Sequence, residues 1–148
     1  MNSDAYFETV APHWDAMRRG FFSTRIRDFA IGVAGVTPGY LAADIGAGSG
    51  FMTEGLVRAG ARVIAVDPSR NMLAELQRKF DRVTAVDSRR IDGDRLPITD
   101  RRVDGVFANM VLHHIDLPID AIMEMKRVLK PGGRLVITDL DKHDYRFL

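Results

Sequence analysis

At 148 residues, with 46% hydrophobic and 28% charged side chains, the chain can build one domain with a substantial core and is unlike a disordered segment. A net charge of +1 gives no reason to expect a nucleic-acid partner, and the absence of cysteine excludes disulfides, thiolate metal sites and cysteine nucleophiles. No apolar run reaches the roughly 18 residues of a membrane span, and the start MNSDAYFETVAPHWD lacks a signal core, so a cytoplasmic location is expected.

Residues 4–19 and 23–35 read as two amphipathic helices, with Pro12 placed to divide the first. Residues 1–36 therefore form a helical lead-in and 37–148 a sheet core. After the turn signal Thr37-Pro38-Gly39, Tyr40 to Ile45 reads as a first strand. Phe51 to Ala59 reads as a helix stopped by Gly60, and Ala61 to Asp67 as a second, nearly continuous apolar strand. Ser69 caps a helix through about Phe80, with Met72, Leu73 and Leu76 at helical spacing. Arg82 to Val86 is a weaker third strand, and Val103 to Asn109 is a fourth. Asp116 is placed to cap a helix over Pro118 to Leu129, ended by Pro131-Gly132-Gly133, before a fifth strand from Gly133 to Leu140. Such alternation is the pattern of βαβ units around a parallel sheet.

Ligands of open α/β sheets bind at the carboxyl ends of the strands, where the first carries LAADIGAGSGF, residues 41–51. A dinucleotide fingerprint, Gly-x-Gly-x-x-Gly, would need its third glycine at position 51, which is Phe51. Asp44 moreover opposes a pyrophosphate at the helix N-terminus. A cationic ligand without phosphate reverses that judgement, and S-adenosylmethionine is one. Asp67, at the end of the second strand, is placed either to accept hydrogen bonds from a ribose diol or simply to cap the next helix.

The ordered set DIGAGSG, VIAVDPSRNML, DGDRLPITDRRVDGVFANMVLHHI and RVLKPGGRLVITDL resembles the class I S-adenosylmethionine-dependent methyltransferases, specifically the small-molecule branch that includes the ubiquinone/menaquinone methyltransferases. The resemblance implies a Rossmann-like, doubly wound parallel sheet with about five strands present. It also implies S-adenosylmethionine as cofactor, S-adenosylhomocysteine as product, and methyl transfer to a small-molecule acceptor by direct displacement. Asp44, Gly46, Ala47 and Gly48 would meet the methionine portion, Asp67 the ribose, and Pro68 and Met72 the adenine side. Asp92 and Gly93 would bind the adenine, with Asp87 a rival acceptor if the third strand ends early, and Asn109 would lie near the amino group. Tyr6, Phe7 and Trp14 match the branch's start that covers the cofactor, although each could equally pack its helix onto the domain.

His113 and His114 follow the fourth strand and are the candidates for a base or a substrate-placing group, with a structural role equally open. Being adjacent, they are poorly placed to share a metal. The carboxylates of Asp139 to Asp144 read as the solvated end of a strand, so no metal is expected. Cysteine-based attack on a pyrimidine carbon is excluded, and NMVL after the fourth strand is not the Pro-Pro-aromatic run of nucleic-acid amino methylation. The resembling family ends in an antiparallel hairpin for which nothing remains before Leu148, implying a shortened chain whose exposed fifth-strand edge would pair with a second copy. Two alternatives are a binding module without turnover and, less favoured, a nucleotide-dependent oxidoreductase.

Overall fold

The computed structural model describes residues 3–18 and 23–140. In chain order the elements are α1 (Ser3–Val10), α2 (Trp14–Arg18), α3 (Thr24–Ala34), β1 (Leu41–Ile45), α4 (Phe51–Arg58), β2 (Arg62–Asp67), α5 (Arg70–Lys79), β3 (Val86–Arg90), β4 (Val103–Asn109), α6 (Pro118–Val128) and β5 (Leu129–Thr138). A 3-10 turn over Ala11–His13 separates α1 from α2, with Pro12 at its start. The strands form one parallel sheet in the order β3-β2-β1-β4-β5.

The central strands are apolar because both of their faces are covered. On one face Leu41, Ala43, Ile45, Ile64 and Val66 meet Met125 and Val128 of α6, together with Leu96 and Ile98 from the connection after β3. On the other, Ala42, Val63, Ala65 and Phe107 meet Ile31 of α3, Met52 and Leu56 of α4 and Leu76 of α5. α3 lies close to α4 because Gly55 has no side chain: a Cβ there would stand 2.7 Å from Ile31 Cδ1 and 2.8 Å from Arg27 Cδ. The buried Arg27 guanidinium donates to the Phe51 carbonyl at 3.2 Å, lies 4.8 Å from the Phe51 ring centroid and pairs with Glu54.

The helix starts follow their caps. Ser69 Oγ accepts from the Met72 N–H and Ser23 Oγ from the Arg25 N–H. Asp116 does not cap α6, however; Leu117 holds that position with no side-chain cap, and Pro118 begins the helix.

Two strands are displaced from the sequence expectation. β3 begins at Val86, where Arg82 to Val86 was expected to end, because β2 sets the pairing: Val63 opposite Val86 through Asp67 opposite Arg90. Its polar sequence VDSRR is tolerated at a sheet edge. β5 begins at Leu129 directly after α6, and Pro131-Gly132-Gly133 lies inside it. Leu129 pairs with Val103 and Arg134 with Gly105, so residues 130–133 bulge out, with Gly132 at φ 78°. The other sheet edge is β5. Residues 141–148, including the end of the Asp139 to Asp144 run, lie outside the described residues. Among the described residues no helix is long and apolar enough to cross a membrane.

Leu56 is fully buried between α4 and the sheet, whereas Phe29 on α3 is 74% exposed. In denaturant melts Leu56→Ala should cost about 2–5 kcal/mol, and Phe29→Ala less than about 0.5 kcal/mol.

Candidate functional site

β1 neighbours both β2 and β4, so the crossovers leave it in opposite directions and a crevice opens at the strands' carboxyl ends. A cavity of about 610 Å³ occupies it. Its floor is the loop after β1, where Gly46, Gly48 and Gly50 all have left-handed backbones, at φ 68°, 55° and 100°. Gly46 is also required by packing, since a Cβ there would stand 2.4 Å from Val111 Cγ2.

This loop turns its amides inward. The N–H groups of Gly46 and Ala47 both donate to the Val66 carbonyl, that of Gly48 donates to Asp67 Oδ2 at 2.8 Å, and that of Gly50 to the Ala47 carbonyl. A phosphate-binding loop needs those N–H groups pointing at its ligand.

Asp67 lies in the cavity wall and is 7% exposed. Besides the Gly48 amide it accepts the Ser69 N–H at Oδ1, at 2.9 Å. It thus holds the backbone of Ser69, the residue that caps α5, rather than capping that helix itself, while still lining the cavity. Asp44 is 1% exposed and lies behind the wall, where Oδ2 accepts from Thr53 Oγ1 at 2.6 Å. Burial pushes its carboxyl up to about 7, against the hydrogen bonds from Thr53, and the charge of Asp67 adds to the rise.

Of the other expected positions, Pro68, Met72 and Gly93 line the cavity together with Asp94, while Asp92 and Ala47 are not part of the wall. Asp87 sits within β3, paired opposite Ile64, and its carboxylate is held by Arg89. Asn109 Oδ1 accepts from Thr138 Oγ1, and it is the next residue, Met110, that faces the cavity. Asp94, Asp116, Asp120 and Glu124 complete the acidic wall, with no lysine or arginine lining it among the described residues. Glu124 is neutralised by Arg127 from behind, at 2.5 Å, and this pairing holds its carboxyl below the usual range. The sequence offered no signal for Asp116, Asp120 or Glu124 as wall residues, and Asp94 was visible only as the second acid of DGD.

The N-terminal helices close the cavity from above. Phe7 lines it, edge-on to Trp14 at 5.2 Å and to His114 at 5.3 Å. Trp14 Nε1 would lie 3.8 Å from a Cβ on Gly48. Glu8 accepts the Arg70 N–H at 2.8 Å, and Asp15 accepts from Ser49 Oγ at 2.5 Å and pairs with Lys79 at 2.7 Å. None of these acidic partners was legible in the sequence. His114 is in the cavity wall, whereas His113 bonds Asp139 through Nδ1 at 2.6 Å. Burial would raise the Asp139 carboxyl, but hydrogen bonds from Leu140 and His113 outweigh it and hold it low. Among the described residues no group of three His, Cys, Asp or Glu side chains is placed to hold a metal ion.

Residues 43–137, the segment that builds this sheet and cavity, match the family described as the methyltransferase domain. The chain belongs to that family, the class I S-adenosylmethionine-dependent methyltransferases. This methyltransferase domain is similar to the demethylmenaquinone methyltransferase of Renibacterium salmoninarum, 33% identical over 138 residues that cover 91% of this chain and 57% of that protein. It is also similar to a chain in the Haloferax volcanii complex of the Trm112 methyltransferase activator with a methyltransferase. There the TM-score is 0.78 and the identity 26%, covering 88% of this chain and 58% of that one. The S-adenosylmethionine-dependent methyltransferase from Aquifex aeolicus shares the fold at TM-score 0.77 and 22% identity, covering 98% of this chain and 78% of that one. The chain spans about half the length of the curated relatives it matches.

The raised carboxyl at Asp44 has a sign that can be checked on the ligand-free methyltransferase domain. Its folded value of about 7 lies above the ordinary 3.8, so ionisation opposes folding. The penalty is absent below about pH 4, grows as pH rises towards 7, and is complete above that, reaching at most roughly 4 kcal/mol. Asp44→Asn keeps the shape and can donate to Thr53. It should stabilise the chain by about 1–4 kcal/mol at pH ~8 and change little at pH ~4, read from denaturant melts at the two pH values.

Proposed function

We propose that the cavity binds S-adenosylmethionine and that the domain transfers the sulfonium methyl to a small molecule by direct displacement. One observation carries the reading: a glycine loop with its amides turned inward faces a wall of carboxylates that, among the described residues, holds no lysine or arginine. Such a surface repels a pyrophosphate and attracts a ligand bearing sulfonium and ammonium groups. Phe51, which begins α4 where a dinucleotide fingerprint needs glycine, points the same way against a nucleotide-dependent oxidoreductase.

In this reading the methionine end lies on Gly46 and Gly48, on either side of Ala47, through close approach and carbonyl oxygens, with Asp44 attracting its ammonium from behind the wall. Asp67 takes the ribose hydroxyls, Pro68 and Met72 bound the adenine, and Gly93 with Asp94, rather than Asp92 or Asp87, line its far side. Met110 brings the chain beyond Asn109 to the ligand. The apolar part of the wall suits a small organic acceptor, as does the similarity to a demethylmenaquinone methyltransferase. Displacement then proceeds by holding acceptor, methyl and sulfur in line. The unpaired edge of β5 among the described residues supports pairing with a second copy.

Calorimetric titration should find that S-adenosylmethionine and S-adenosylhomocysteine bind and NAD does not; NAD alone binding would overturn the reading. Asp67→Ala should weaken both by about 1–3 kcal/mol, at the upper end because the Gly48 and Ser69 amides also lose their acceptor. Because a cationic ligand favours ionised Asp44, binding at pH ~6 should release close to one proton and at pH ~8 none, measured in buffers of different ionisation enthalpy. Tight binding without methyl release to any phenol, quinol or amine would instead identify a binding module without turnover.

A further inference from the structure

The segment after β4 is pressed against the glycine loop. Val111 packs so close to Gly46 that a Cβ there would stand 2.4 Å from Val111 Cγ2, and the same segment carries His114 into the cavity wall. Under the methyl-donor reading, on which this inference rests, that places His114 on the side of the cavity occupied by the donor's methionine end. Its ring is held on two sides. Phe7 meets it edge-on at 5.3 Å and 90°, and the His113 ring lies 4.0 Å away at 43°.

His113 is itself clamped by a residue 26 positions along the chain. Asp139, immediately after β5, accepts the His113 backbone N–H at Oδ2, 3.3 Å, and bonds its ring Nδ1 at Oδ1, 2.6 Å. Both side chains are about 15% exposed or less, and Asp139 is steadied further by the Leu140 N–H at 2.8 Å. The turn Leu112–His114 is thereby fixed from the end of the neighbouring strand. The wall beside His114 is apolar, formed by Met110, Val111 and Ile115.

We infer that His114 is the proton acceptor for the methyl acceptor, that Asp139 positions it through His113, and that the acceptor is a neutral, mostly apolar molecule bearing a weakly acidic hydroxyl of the phenol type. Among the described residues, His113 and Asp139 lie behind His114, Asp67, Asp94, Asp116, Asp120 and Glu124 share its cavity wall, and α1 contributes the uncharged ring of Phe7. Those carboxylates discriminate between acceptor classes. An amine would be held as its ammonium, without the lone pair that must attack, whereas a phenol enters neutral and the imidazolium it generates is stabilised by the same carboxylates. In the step, the hydroxyl O–H breaks and its proton passes to a ring nitrogen of His114. The oxygen forms a bond to the methyl carbon as the carbon–sulfur bond breaks, with its electron pair left on sulfur. The sulfonium becomes a neutral thioether, and the imidazolium returns its proton to solvent.

4-Nitrophenol reports the assignment, because its ionised form is coloured. The full chain is saturated with S-adenosylhomocysteine, confirmed by calorimetry, and the probe is titrated across pH. Bound probe should ionise about one pH unit or more below free probe, a tenfold or greater shift. His114→Asn should abolish that shift with S-adenosylhomocysteine affinity retained, and Asp139→Asn should reduce it. Where His114→Asn also lowers S-adenosylhomocysteine affinity, His114→Phe, which keeps a ring between Phe7 and His113, decides by the same criterion. No binding of the probe to the loaded chain, or an equal shift without the imidazole, overturns the inference. Failure to bind S-adenosylhomocysteine at all overturns the donor reading first and this inference with it.

Discussion

Asp67 ties together the three loops that make the cavity. Its carboxylate accepts one amide from the loop after β1 and one from the start of α5, and its own carbonyl accepts the Ile91 N–H from the loop after β3. A parallel sheet brings the carboxyl ends of its strands together with backbone groups in need of partners, and Asp67 supplies three of those partners here. The cost of desolvating that carboxylate is offset by two amide hydrogen bonds, each stronger for involving a charge. The same residue borders the cavity, so the proposed ribose contact would fall on the residue that assembles the site.

The second organising feature is sign of charge. A glycine loop at a helix start is usually a cradle for anions, because its amides and the helix dipole point at the ligand. Here Val66 and Asp67 engage those amides from the neighbouring strand, and Asp44 lies directly behind. One loop shape thus serves opposite ligands depending on what the adjacent strand end carries. The buried Asp44 carboxyl is held by Thr53, and in the proposed function a cationic ligand would favour its ionised form.

The N-terminal helices add a wall rather than a core. Their contacts to the domain are a few polar bonds, Glu8 to the start of α5 and Asp15 to Ser49 and Lys79, around an aromatic cluster of Phe7, Trp14 and His114. Among the described residues of α1, α2 and the turn between them, Ala11 is the buried apolar side chain. The cover and the proposed base share a contact, Phe7 on His114.

Local pattern determined much by itself. Alternating apolar strands and capped helices specified a parallel α/β sheet, and the run from Asp44 to Phe51 specified a glycine turn unsuited to a dinucleotide, because each depends on residues near in sequence. Ser69 was legible as a cap for the same reason, its partner being three residues away. What depended on distant partners was decided only in the folded chain. β3 took its register from β2, so Val86 to Arg90 displaced the more apolar stretch before it and carried Asp87 away from the site. Asp94 and the acids of α6 became a cavity wall through packing that no periodicity encodes. The inward turn of the loop amides required Val66 and Asp67, about twenty residues along. His113 and His114 were equivalent in the sequence; Asp139, brought from the next strand, bonds the His113 ring, while His114 lines the cavity.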